Sequence, residues 1–395
     1  METKPNVSFE DTDVAFRYKS DAALQKANFI FSLVSHPWIS ALATQSVKLA
    51  LMLKLPVESI IRKTVFDHFC GGESIEKTEW VANLLGQYGV SSILDYSVEG
   101  AQSEAGFDFV MEETMRTIEK ASNSENIPFS VFKTTGLASA GLLEKVQKKV
   151  PLSQAEQISF ERVRYRIDCI CRQAHAHKIP VLMDAEVSWI QDTIDALAYE
   201  MMARYNTQKA IVFNTYQLYR TASLNNLRES HHVATMHNYH LGVKLVRGAY
   251  MEKERDRAEL MGYPSPIYVD KEATDAAFNQ ALTFCIDNKQ RVSVMCGSHN
   301  EYSNYYLTVL MEKHGMKNSD ERVWFAQLYG MSDNISFSLA KAGYRVAKYL
   351  PYGPVRAVMP YLLRRAEENT SVAGQSSREL MLIRREIKRR KQAIS

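Results

Sequence analysis

Cysteine is scarce in this 395-residue chain: five residues, at 70, 169, 171, 285 and 296, with no Cys-x-x-Cys pair among them. Such a scattered, odd set builds neither a disulfide framework nor a structural zinc site, so a reducing compartment is expected. Phosphate-cradling glycine motifs are missing too. Without GxGxxG and a following ribose acid, or GxxxxGK[ST], a Rossmann NAD site and a phosphate-loop NTPase are both excluded. Charge of one sign is lacking: 48 Lys plus Arg against 45 Asp plus Glu leave +3, which implies no nucleic-acid partner. The first twenty residues, METKPNVSFEDTDVAFRYKS, have no apolar run and several acids, unlike a signal or transit peptide, so a cytoplasmic location is expected. The segment from Asn28 to Val47 is free of formal charge, but Ser35, His36, Pro37, Ser40, Thr44, Gln45 and Ser46 load it with polar atoms. That favours two buried helices meeting at Pro37 over a membrane span.

What is present suits an ordinary globular protein, with 46% hydrophobic and 24% charged residues. Residues 1–88 read as a helical region, with helices expected over Glu58 to Phe69 and Ser74 to Gln87. From Val90 onward, short apolar runs alternate with longer helical patterns. Eight such runs stand at 91–96, 129–135, 179–186, 210–216, 242–250, 291–297, 322–330 and 344–350. Eight βα units predict an α/β fold, a distorted (βα)8 TIM-like barrel preceded by the N-terminal helical region, with chemistry at the carboxyl ends of the strands. An open doubly wound sheet is the alternative. The expected divisions are 1–88, a catalytic barrel over 89–372, and a basic C-terminal helix over 373–395.

Polar residues gather within or just beyond these apolar runs: Asp95, Lys133 to Thr135, Asp184, Glu186, Asn214, Lys244, Arg247, Gly297 to Asn300, Gln327 and Tyr349. Isolated buried charge is costly, so a ring of this kind reads as a wet, paired site. Lys244 and Arg247, three apart, cannot share one face of a regular strand. After the eighth run, Pro354 is placed to start a helix whose apolar stripe is Val355, Val358, Met359, Leu362, Leu363 and Ala366, with Pro360 kinking it. Arg364, Arg365 and Glu368 leave that stripe together, and an arginine pair suits one carboxylate with fixed geometry. A solvated helical charge face is the competing reading.

The stretches FKTTGLA (132–138), VLMDAE (181–186), FNTYQ (213–217), KLVRGAY (244–250), SHN (298–300), YLPYGPV (349–355) and YLLRRAEEN (361–369) resemble, in order, the proline dehydrogenase family. The resemblance implies a distorted (βα)8 barrel with non-covalent FAD that oxidises L-proline to 1-pyrroline-5-carboxylate. It implies that Arg364 and Arg365 grip the substrate carboxylate with Lys133, that Glu368 orients the pair, that Asp184 anchors the Lys133 side, and that Tyr349 packs over the ring. Asn214, Lys244, Arg247, His299 and Asn300 match FAD-contacting positions. Bacterial multifunctional relatives carry Arg and Lys where Lys244 and Arg247 stand. A tyrosine at 349 rather than a smaller serine implies proline over its 4-hydroxylated form. Electrons are expected to reach a membrane quinone, and a separate pyrroline-5-carboxylate dehydrogenase to complete the path to glutamate.

Other signals are weaker. His231, His232, His237 and His240 lack the spacing and companions of a metal site, and Cys169 with Cys171 reads as packing. Residues 378–391 hold seven Arg or Lys and two Glu, a local +5, with Leu380, Ile383 and Ile387 on one face. That helix suits either peripheral association with the inner face of an anionic membrane or packing on the protein. Two further functions stay open on residues alone: a Schiff-base enzyme using Lys133 or Lys244, and a binding barrel without turnover.

Overall fold

The structure, a computed structural model, describes residues 7–34, 58–98, 102–364 and 375–394. Eight parallel strands close a barrel in sequence order: β1 (Val90–Tyr96), β2 (Phe129–Lys133), β3 (Val181–Asp184), β4 (Val212–Gln217), β5 (Leu241–Val246), β6 (Val292–Gly297), β7 (Val323–Leu328) and β8 (Val346–Tyr352). The eight apolar runs are these eight strands, and the barrel excludes the open sheet. Several runs stop being strand earlier than their apolar character suggested. Thr134–Gly136 is a 3-10 turn after β2, and β5 ends at Val246, which leaves Arg247 to Tyr250 in the loop beyond it.

The chain divides into two compact units. One spans Gly100–Ala326 and carries β2 to β6 with most of β7. Its helices are α4 (Glu104–Ser122), α5 (Ala140–Gln147), α6 (Gln154–His177), α7 (Ser188–Tyr205), α8 (Ser223–Met236), α9 (Met251–Met261), α10 (Lys271–Asp287) and α11 (Glu301–Lys313). Side-chain oxygens of Ser103, Ser139, Ser153 and Asn300 cap α4, α5, α6 and α11, and Ser153 with Glu156 forms a reciprocal capping box. Strand alternation then sorts the side chains. The rings of Phe213 and Trp324 pack edge-on to Phe129, closing the floor of the inner face. Gly242 lies beside them in register with Phe213, where a Cβ would meet the Val212 carbonyl oxygen at 2.3 Å. Residues two further along point the same way, which sets the parity of everything above that floor.

The other unit spans Asn6–Glu99 and Gln327–Ser395. It contains α1 (Thr12–Phe16), α2 (Asp21–Val34), a helical segment of three stretches (Glu58–Ile61, a π turn at Arg62–Phe66, and Asp67–Phe69), α3 (Ile75–Gly86), β1, β8, α12 (Asp333–Lys341) and α13 (Gln375–Ile394). In its core Phe16, Leu24 and Phe31 pack with Val358, Leu362 and Ile383. Only the first part of the uncharged N-terminal segment is described: Asn28 to Val34 completes α2, while 35–47, with Pro37, lies outside the described residues.

Two expectations near the C-terminus are corrected. Pro354 does not start a helix. The Ala357 and Val358 amides bond its carbonyl at 2.8 and 3.1 Å, and residues 355–358 form turns before helix begins at 359. Pro360 therefore falls in the first helical turn, where a proline's missing N–H removes no intrahelical bond. For the apolar face of α13 the structure shows packing on the protein, one of the two readings its sequence allowed. Leu380, Leu382 and Ile383 are buried and Ile387 is partly buried in the core shared with α1 and α2. Its arginines pair with N-terminal acids: Arg378 and Arg385 with Glu10, Arg389 with Asp13 at 2.6 Å, and Arg390 with Asp21 at 2.8 Å. Among the described residues no helix is long and apolar enough to cross a membrane.

Candidate active site

In the first unit the strand ends bring together Lys133, Asp184 and Lys244. Lys133 and Asp184 are register partners on β2 and β3. Lys244 reaches across from β5, its ammonium 2.5 Å from the Asp184 carboxylate, with only 7% and 15% of the two side chains exposed. This is a desolvated ion pair, whose members depend on one another far more than an exposed pair would. Thr215 lies between them in register with Lys244, so Lys133, Asp184, Thr215 and Lys244 share the inner face above the aromatic floor.

Asn214 does not join them. Its register partners are Met183 and Val243, the opposite parity, and its amide donates at 2.8 Å to Asp195 on α7. Burial raises the Asp195 pKa, opposed by the amides of Asn214 and Gln191. At the rim end of the FNTYQ stretch the inner-face residue is Gln217, following Phe213 and Thr215 on that face, and the sequence did not single it out. Its amide donates to the Glu186 carbonyl at 2.6 Å and its oxygen accepts from the Ala249 N–H at 3.2 Å, bridging the loops after β3 and β5.

Arg247, just past β5, is held on three sides. It donates to Asp275 at 2.7 Å, Ser298 at 2.7 Å and Ser303 at 2.9 Å, and its guanidinium lies 4.5 Å from the Phe278 ring centroid. Burial would raise the Asp275 pKa, but Lys271 and Arg247 bring it below the usual range. Asn300 caps α11 by accepting from the Ser303 N–H at 2.9 Å, and half-buried His299 precedes it in the loop after β6. Glu186 is buried beside Thr135, which donates to it from both backbone and hydroxyl; desolvation still leaves its pKa raised. The rim cations Lys244 and Arg247 are each matched by a carboxylate, Asp184 and Asp275.

In the second unit Tyr349 is buried on β8, in register with Ile93 of β1. Arg364, half-buried, stands at 364 in the helical stretch that begins at 359. Arg365 and Glu368 lie outside the described residues. Of the discounted signals, His231 and His232 ride on α8, with His231 edge-on to Phe284, and all five cysteines are buried and unbridged. Among the described residues no group of His, Cys, Asp or Glu could hold a metal ion.

A family model described as proline dehydrogenase matches residues 81–378, three quarters of the chain and every strand of the barrel. The chain belongs to the proline dehydrogenase family. Within and around it, the chain is 32% identical over 426 residues to "Proline dehydrogenase 1, mitochondrial" of Dictyostelium discoideum, covering 96% of this chain and 74% of that protein. It is 34% identical over 322 residues to "Carbapenem antibiotics biosynthesis protein CarD" of Pectobacterium carotovorum, covering 82% and 83%. The fold is similar to a crystal structure of proline utilization A from Bdellovibrio bacteriovorus, with a TM-score of 0.71 at 20% identity, covering 92% of this chain and 37% of that one. All of the rim residues from Lys133 to Asn300, and Tyr349 and Arg364, fall inside the span matched to the proline dehydrogenase family.

Proposed function

We propose that this protein oxidises L-proline to 1-pyrroline-5-carboxylate and holds FAD at the carboxyl ends of its barrel strands. The observation that carries the reading is the desolvated Lys244–Asp184 pair beside Lys133, at strand ends inside a segment that belongs to the proline dehydrogenase family. The donor set suits a flavin dinucleotide: a buried ammonium and a braced guanidinium for negative charge, and the Gln217 amide on the same face. FAD, when bound, supplies the two-electron acceptor for the hydride that leaves proline C5.

The rest is positioning and charge control by the chain. Lys244 would balance negative charge on the cofactor, with Asp184 fixing its ammonium in place. Arg247, His299 and Asn300 would contact the cofactor's polar arm, and the role first read for Asn214 passes to Gln217. Arg364, Arg365 and Lys133 would hold the substrate carboxylate, with Glu368 orienting the arginines and Tyr349 packing over the ring. Proline nitrogen must lose a proton as C5 loses hydride, and the clamp keeps C5 at the reacting distance of roughly 3–3.5 Å. Relatives named for proline and for hydroxyproline oxidation both match this chain, so the preference for proline rests on the bulk of Tyr349. Electrons would pass to a membrane quinone, and a separate pyrroline-5-carboxylate dehydrogenase would consume the product. A cytoplasmic enzyme bound peripherally at the inner membrane face would meet both. A Schiff-base enzyme is less favoured, because Lys244 is committed to Asp184.

The test is an absorption spectrum of the purified protein before and after anaerobic L-proline. Bound flavin that bleaches with proline is expected. A protein without flavin, or flavin left oxidised by proline, would overturn the proposal.

A further inference from the structure

Behind β8, in the second unit, two ammoniums and two carboxylates are withdrawn from water. Lys348 is 0% exposed, Asp333 1% and Glu379 6%. The Asp333 carboxylate meets Lys348 at 2.8 Å, Lys19 at 3.0 Å and the Tyr18 hydroxyl at 2.8 Å. Lys348 also donates to the Met331 carbonyl at 2.5 Å. Glu379 of α13 accepts from the Ser332 N–H at 2.9 Å, and Ser332 is held in the left-handed region at φ +52°. Between them these groups tie the segment joining α1 to α2, the loop after β7, strand β8 and the C-terminal helix to one point. A cluster of this kind is expensive to bury and is a poor source of bulk stability.

Its location is informative. Lys348 points outward from β8, so its neighbour Tyr349 points to the inner face. The Tyr349 carbonyl also accepts from the Tyr329 N–H at 2.8 Å, on the same loop that leads to Ser332 and Asp333. We propose that Asp333, Lys348 and Glu379 are positioning residues for Tyr349: they fix β8 from its outer side, so that the N-terminal segment and the C-terminal helix set the ring contact on its inner side. This rests on the proline dehydrogenase reading of Tyr349.

The groups facing the cluster also give it a pH signature. Burial, with Asp333 adding to it, pushes Glu379 up to about 7 against the opposing Ser332 N–H, Lys348 and Lys19. Burial would raise Asp333 too, but Lys19 and Lys348 hold it well below the usual carboxylate range. Burial lowers Lys348, opposed by Asp333, and raises Tyr18 and Tyr329. Burial takes His68, bonded to the Gly330 carbonyl, down to about 3, so it stays neutral. Between pH 6 and 8 the titration therefore centres on Glu379. Because its folded pKa is raised from 4.5, its contribution to stability declines as pH climbs toward 7 and is flat above. Ionisation sets a second negative charge against Asp333 inside the anchor, and that repulsion is the change the pH dependence reads.

The experiment compares the wild-type holoenzyme with E379Q and E379A. The wild-type KM for L-proline is expected to rise about threefold from pH 6 to 8, while E379Q, which keeps an acceptor for Ser332 but cannot ionise, stays flat. E379A, which removes that acceptor, should raise KM roughly five- to tenfold with little change in kcat and a narrower preference for proline over trans-4-hydroxy-L-proline. Hydrogen exchange of residues 346–352, which needs no turnover, should be faster in E379A. Equal KM, pH profile and substrate preference in all three proteins, or unchanged exchange in β8, would overturn the inference. Should E379A fail to fold, the flat or sloping profile of E379Q decides alone. A wild type inert to proline would refute the functional reading and the role given to Tyr349, while the exchange result still decides the anchoring.

Discussion

Asn214 and Gln217 stand three apart on one strand, and the face each occupies separates their roles. Asn214 serves the layer between β4 and α7, where its amide bonds the buried Asp195. Gln217 looks inward and ties two strand-end loops together. Replacing Asn214 by Ala should cost about 1–3 kcal/mol of stability, measured by urea unfolding, and leave the bound-flavin spectrum unaltered. Gln217→Ala should shift that spectrum and weaken flavin retention. The reverse pattern would return the cofactor contact to Asn214. The motif FNTYQ was readable in the sequence, but which of its residues faces inward was not, because that depends on where the strand begins and on its register with its neighbours. Lys244 and Arg247, also three apart, are separated in another way: β5 ends at Val246, so Arg247 lies in the loop past the strand. Of the partners that brace Arg247, Ser298 opens the SHN stretch, but Asp275 on α10 and Ser303 on α11 come from distant sequence and left no local trace.

At the level of elements, all eight strands could be counted from apolar runs, because a strand covered by helices outside and packed within must be apolar nearly throughout. Their ends could not. Apolar character continues past β5 and β7 into loops, and hydrogen bonding stops where the barrel's rim opens. Gly242 shows how tightly the inner layer is filled. A methyl group there would press on the Val212 carbonyl and the Phe213 ring, so Gly242→Ala should destabilise the protein by about 1–3 kcal/mol, read from the urea midpoint. An unchanged midpoint would mean that β4 and β5 can part without cost. The C-terminal proline pair was misjudged for a related reason: Pro354 has the right chemistry for a helix start, but the turn over 355–358 intervenes, and the burial of Val355 and Val358 favours it.

For the whole molecule, the basic helix was legible as amphipathic, but its occupant was not. Its apolar residues lie against α1 and α2, and four of its arginines meet N-terminal acids, pairings that span more than 350 positions of sequence. Removing 375–395 would expose that core. With roughly 1.5–3 kcal/mol for each of Leu380, Leu382 and Ile383, the loss approaches the stability of a typical domain, and the truncated chain should not fold, as judged by circular dichroism. A membrane role must therefore be tested at the exposed cations. R384E with K388E should weaken salt-sensitive sedimentation with anionic vesicles while the fold persists. Undiminished sedimentation would remove this helix from any such role.

The same clasp has a consequence during synthesis. Phe16, Leu24 and Phe31 emerge from the ribosome some 350 residues ahead of Leu380 and Ile383, and at about 5–20 residues per second their partners arrive roughly 20–70 s later. For that interval the nascent chain carries a helical pair that only the nearby Ile61, Phe66 and Phe69 can begin to cover, so its yield in a cell should depend on chaperone capacity more than on the strength of the finished barrel.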